Sequence, residues 1–148
     1  MGVVLLKAGA YPKAEEQYRQ ILTVNPDDVE AQVGLAAALR GEADAQHPQK
    51  LDEARALLEK VLVADSHNTS AEFNLGVLYA DFLKRPADAA PLFKRFLSDA
   101  PGDHPLRGDA DKYISAASAS APPPAPASPT PAPGAPSAPP AAAPPGKK

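Results

Sequence analysis

Three histidines, His47, His67 and His104, are the side chains of this sequence best suited to hold a metal or move a proton. Each falls in a stretch expected to be a loop or a helix junction, and no two share a helix face at i and i+4. The paired-histidine spacing of a zinc helix is therefore missing, and surface histidines are expected. Carboxylates gather in "PDD" (26–28) and "DADKY" (109–113). Catalytic acids need a dry pocket that drives their pKa values apart. These acids lie where helices begin, and there a carboxylate favours the helix dipole, so capping is their expected role. No glycine-rich phosphate loop, G-x-S-x-G nucleophile or cysteine occurs. The chain is expected to be no enzyme, with no cofactor and no metal.

The elements that position side chains come from a composition that changes along the chain. From Ala116 onward nearly every residue is Ala, Pro or Ser, and 12 of the 19 prolines lie between Pro122 and Pro145. Such a segment has too little apolar surface to offset the entropy of ordering. It reads as a disordered spacer of polyproline II preference over 118–148, with P-x-x-P spacings such as Pro123 to Pro126 but no basic residue close by. About 114 residues remain to fold as one modest domain. Without Lys147 and Lys148 they carry 13 bases against 18 acids, so nucleic acid is not an expected partner. No run approaches the roughly 18 apolar residues of a membrane-spanning helix, and the opening "MGVVLLKAGAYPKAEE" is too soon interrupted for a signal peptide. No direct membrane insertion is expected. The compartment stays open: cytoplasmic by default, periplasmic or envelope-associated if a signal lies upstream.

Three segments repeat: "YPKAEEQYRQILTVNP", "KLDEARALLEKVLVADS" and "RPADAAPLFKRFLSDAP". Each has an alanine (Ala14, Ala54, Ala89), then a bulky residue four later (Tyr18, Leu58, Phe93), then an apolar pair. Each breaks at Pro26, Ser66 or Pro101, twelve residues after the alanine, which describes one helical face and its end. Between them lie "DDVEAQVGLAAALRG" and "NTSAEFNLGVLYADFLK", whose expected N-caps are Asp27 and Thr69. Six helices in alternating order follow, and no period-two pattern supports strands. In the last stretch Gly76 sits mid-helix, less favourable there than Ala by about 1 kcal/mol. A helix backbone too close for a side chain is the expected cause. The third downstream helix is expected to start at Asp88, which would leave Pro91 in its first turn.

These residues resemble the tetratricopeptide repeat, a 34-residue unit of two antiparallel helices. Leu75, Gly76, Tyr79, Ala89, Phe93 and Pro101 match its pattern in the third copy, and Gly9, Tyr11, Ala14, Tyr18 and Pro26 in the first. The second copy keeps Leu35, Ala36, Leu39, Ala54 and Leu58, with six extra residues in "GEADAQHPQ". Gln32 and Glu72 stand at the family's tryptophan position. The resemblance covers roughly residues 1 to 103. It implies an all-α, right-handed solenoid of about three units (1–27, 28–67, 68–103). A capping helix over 104–117, with Leu106, Ala110, Tyr113 and Ile114 on one face, would complete the domain 1–117. Ala89 would be the small residue facing Gly76 where the helices cross.

The resemblance also implies a function: a non-catalytic scaffold that takes a peptide or helix of a partner protein in its concave groove and aids complex assembly. The groove residues would be Val33, Ala37 and Arg40 from the second unit and Phe73, Asn74 and Val77 from the third. Asn74 would bond a partner backbone, and Phe73 with Val77 would give an apolar patch. Clamping of a chaperone C-terminal carboxylate is not expected, because only Asn74 matches its residues. The alternative is a regulatory or structural segment of a larger enzyme, or of a bacterial envelope or secretion assembly. It is motivated by Met1 falling inside a helix and leaving Val3, Val4, Leu5 and Leu6 partly unprotected. A tail so rich in Ala and Pro is of a kind found in GC-rich bacterial proteins.

Overall fold

The structure is a computed structural model and describes residues 2–44 and 46–120. Its helices are α1 (Gly2–Lys7), α2 (Tyr11–Val24), α3 (Val29–Glu42), α4 (Gln49–Ala64), α5 (Thr69–Val77), α6 (Pro86–Asp99) and α7 (Arg107–Ser120). A π-helical segment, Leu78–Phe82, continues α5, and no strand occurs among the described residues. The helix α7 runs three residues past the expected boundary at 117. The rest of the expected tail, 121–148, lies outside the described residues.

Short polar side chains set two helix starts, one residue away from the expected positions. Asp28, not Asp27, accepts the Ala31 N–H at 2.8 Å. Asn68, not Thr69, accepts the Ala71 N–H at 2.9 Å. The reason is the preceding turn: the Asp28 and Asn68 N–H groups close it onto Asn25 and Asp65, leaving these two as the last extended residues. The helix α6 starts at Pro86 rather than after Asp88, because proline's fixed φ suits the first helical position. Asp88 sits inside the first turn and pairs with Arg85 at 2.7 Å. Pro91 is therefore inside the helix and withholds a bond from the Ala87 carbonyl. Both residues are exposed, so water can take that carbonyl.

Each helix packs chiefly on its sequence neighbours, the one-dimensional pattern of stacked helix pairs. The first helices of the pairs, α1, α3 and α5, also touch one another in series, whereas α2, α4 and α6 lie further apart. Such a stack curves with α1, α3 and α5 on the inside. The six extra residues of the second pair fall in the α3–α4 loop at 43–48. Lys50 ties that loop down by pairing with both Glu15 (2.9 Å) and Glu42. The third pair carries one extra residue as well. Gly9, at φ 70°, follows Gly2 by seven residues, while Lys84, at φ 55°, follows Gly76 by eight. The π segment absorbs the difference and keeps the turn in place, as an inserted residue in a helix does.

Gly76 is needed for a ring rather than for a backbone. A Cβ there would lie 2.8 Å from the Phe93 ring, so the neighbour that excludes a side chain is Phe93, not the expected backbone opposite Ala89. Ala89 is buried one turn earlier on α6. Gly2 stands in the same relation to Tyr18, with a Cβ 2.4 Å from its ring. In the middle pair the register holds Ala36 and the smaller Leu58, both buried. Rings thus face glycine in the outer copies, and at the same register the middle copy pairs a larger small residue with a smaller bulky one, a trade in volume that keeps the interior filled.

The register of the family's tryptophan holds buried Gln32 and Glu72. Gln32 Nε2 donates to the Pro26 carbonyl at 2.7 Å. Glu72, with oxygens only, cannot do the same for the equivalent Ser66 carbonyl. Arg95 stands between them, donating through Nη2 to Ser66 and placing Nε 3.1 Å from Glu72 Oε1. That contact is Coulombic only, since neither Glu72 oxygen accepts a hydrogen bond among the described residues. Burial pushes the Glu72 pKa up, and Arg95 opposes it.

Candidate functional site

The six expected groove residues lie on α3 and α5, two of the three helices that touch in series. Val33, Ala37 and Arg40 recur at i, i+4 and i+7 on α3, and Phe73 and Val77 at i and i+4 on α5, so each set shares one face. All six are half-buried. Val33 packs on the first core cluster, and Phe73 and Val77 pack on the second.

Arg40 and Asn74 are brought into direct contact. Arg40 Nη1 donates to Asn74 Oδ1 at 3.1 Å and, at 3.4 Å, to its backbone carbonyl. Asn74 Nδ2 donates to the Ser70 carbonyl at 2.8 Å. The Asn74 amide, expected to meet a partner backbone, is therefore largely engaged within the chain, and it orients Arg40. Phe73 packs edge-on to Phe93 with ring centres 5.6 Å apart and tilts against Phe96 at 5.1 Å. Its ring is anchored to α6, and only part of it faces outward. Burial pushes the Arg40 pKa down, while Tyr113, Asp81 and Tyr11 push it up.

Four further residues lie on or beside this face that the expected groove did not include. Val3, 58% exposed, has the register of Ala37 and Val77, one residue after Gly2, Ala36 and Gly76 respectively. Matching Gly2 to Gly76 would have found it. Phe82 lies under the Arg40 guanidinium, 5.9 Å from ring centre to carbon. Asp81 accepts the Tyr113 hydroxyl at 2.5 Å, and Tyr113 stacks on Phe93 at 4.6 Å, fastening α7 to the end of the stack. Burial first, then the Asp81 bond, push the Tyr113 pKa to about 12. The π turn shifts the helical phase by one residue, so counting in fours from Val77 stops at Asp81 and passes over Phe82.

The histidines occupy separate places. His47 pairs with Asp44 at 2.9 Å and His67 with Asp99 at 2.8 Å, while His104 meets the Phe96 ring edge-on. No group of three metal-ligating side chains occurs among the described residues. Nor is any described helix long and apolar enough to cross a membrane.

The family model described as tetratricopeptide repeat matches residues 1–46 and 49–104. The break between the two matched spans falls in the lengthened α3–α4 loop. Among curated proteins, none matches the sequence. Tetratricopeptide repeats generally mediate protein–protein interaction. Repeat spacing, antiparallel helix pairs and this match together place the chain in the tetratricopeptide-repeat family, as an all-α right-handed solenoid.

Proposed function

We propose that this chain is a non-catalytic scaffold whose inner face holds a segment of a partner protein and so aids assembly of a complex. The observation that carries the reading is the series α1–α3–α5. These helices touch along the inside of the stack and present half-buried Val33, Ala37 and Val77, with Val3 exposed, to one side. Half-buried aliphatic side chains on a concave face gain about 25 cal/mol for each Å² that a partner covers. Arg40 and Asn74 add polar contacts that fix orientation.

The test uses Ala37→Glu in the full chain, because Ala37 sits between Val33 and Arg40 on α3 and is only half-buried. Peptides selected from a random display library on the unchanged protein should lose at least about tenfold in affinity, equal to 1.4 kcal/mol. Helicity and melting temperature should stay the same. Equal affinity for the variant would reject this face as the binding site.

One observation favours the second reading, a segment of a larger enzyme or envelope assembly. Val4 is 65% exposed, while Ala38 and Leu78 in the same register are fully buried, and α3 and the π segment each touch the helix before them. A helix packed on α1 in the manner of α2 on α3 would bury Val4 equally. Hydrogen exchange of α1 within the native complex would be slowed under this reading and unchanged without it.

A further inference from the structure

Of the six arginines, Arg40 alone is held by a side-chain amide, with neither a carboxylate nor the carbonyls of a helix end as partner among the described residues. Arg19, Arg55, Arg85 and Arg95 each lie within 4.0 Å of a carboxylate, and Arg107 donates to the Leu97 and Ala100 carbonyls at the end of α6. Arg40 has no carboxylate within that distance among the described residues. Its Nη1 is held by Asn74, while Nε and Nη2 make no hydrogen bond there. Asp81 contributes to the field at Arg40, but its Oδ2 takes the Tyr113 hydroxyl.

A place in the last turn of α3 favours a cation through the helix dipole. A side chain pointing to open water would gain the same. The dipole therefore leaves unexplained why this guanidinium turns inward onto α5 and the Phe82 ring. Placing a half-buried cation without a counter-charge is costly unless something supplies one. The guanidinium edge formed by Nε and Nη2 is the one that takes a carboxylate side-on, through two parallel hydrogen bonds.

We propose that Arg40 is the specificity-determining anchor of the inner face and receives a single aspartate or glutamate side chain of the partner polypeptide. Asn74 fixes one side of the fork, and the exposed part of Phe82 packs against the acid's methylene carbons. The flanking face is Val33, Ala37 and Val77, and the folded part is net acidic. The ligand is therefore one acid among apolar residues, not an acidic run. This rests on the reading that the inner face binds a polypeptide.

The test selects display peptides on the full chain and on Arg40→Gln, then measures one selected peptide against its counterpart with glutamine replacing the acid. The expected result is an Asp or Glu at one fixed register in selections on the unchanged protein, absent with the variant. The acid-to-glutamine change should cost about tenfold on the unchanged protein and close to nothing on Arg40→Gln. The peptide swap on the unchanged protein does not depend on the variant folding. Binders without an acid preference, or a swap with no effect, overturn this inference while the inner-face reading stands. Failure to enrich any peptide overturns both. Displacement of the peptide by millimolar inorganic phosphate assigns Arg40 to a free anion and overturns the partner proposed here.

Discussion

Glu72→Gln should stabilise the protein, although it removes a buried ion pair. The Glu72 side chain is fully buried, with neither oxygen accepting a hydrogen bond. Its one attraction is to Arg95 Nε at 3.1 Å, and Arg95 is half exposed to screening water. Replacing a whole buried ion pair by well-packed apolar residues is often neutral or favourable by about 1–4 kcal/mol. Here only Glu72 changes, but half-exposed Arg95 keeps water and the Ser66 carbonyl as partners, so a gain of about 1 kcal/mol is expected. The chain already contains the substitute: Gln32 donates to the Pro26 carbonyl, and a glutamine at 72 can donate likewise to Ser66. The effect depends on pH in a fixed direction. The folded-state pKa of Glu72 lies above its unfolded value near 4.5, so the folded form binds the proton more tightly. Native Glu72 thus destabilises above the folded pKa, and the penalty is removed as pH falls from that pKa to 4.5. Urea unfolding followed by circular dichroism should show Glu72→Gln more stable at pH 7 and nearly equal to the native protein at pH 4. A variant less stable at pH 7 by more than about 1 kcal/mol would mean that the carboxylate earns its burial, refuting the reasoning. Arg95→Met should lower stability at pH 7 by about 2 kcal/mol, below the 3–5 of a fully buried partner because Arg95 is half exposed.

Gly76→Ala gains about 1 kcal/mol of helix propensity but puts a Cβ against the Phe93 ring, an overpacking cost of about 1–3 kcal/mol. It should lower stability in thermal melts, and Gly76→Ala combined with Phe93→Leu should couple favourably, reproducing the Ala36 and Leu58 pairing; additive losses would count against it. Lys84→Gly should raise stability by about 1 kcal/mol in urea titration, because Lys84 holds φ 55° where the first pair has Gly9. Burial raises the Glu15 pKa, yet hydrogen bonds from Lys50 and Arg19 outweigh it and hold it at about 2. The stability it contributes is present above pH 4.5 and lost as pH falls toward 2, so Lys50→Met should flatten acid unfolding over that window.

The repeat was legible because Ala14, Ala54 and Ala89, with their partners four and twelve residues on, report a buried helical face that local spacing alone defines. Both N-caps were displaced by one residue because "DD" and "NT" each offer two capping side chains, and the preceding turn chooses between them. Pro91 pointed to a late helix start, since its solvent exposure, which makes it tolerable, is a tertiary fact. Gly76 signalled a close approach, but nothing in its spacing separates a ring from a backbone. In the candidate site, α3 and α5 faces followed from a period of 3.6. Phe82 escaped because one inserted residue turns the helix through a π segment. Asn74's engagement with Arg40 joins residues 34 apart and depends on how α3 and α5 settle together.

Photo-crosslinking from a benzoylphenylalanine placed at position 37, compared with one at Gln20 on the exposed side of α2, tests the location of partner binding most directly. Adducts with a selected peptide from position 37 and none from position 20 are predicted. Adducts from position 20 alone would contradict it.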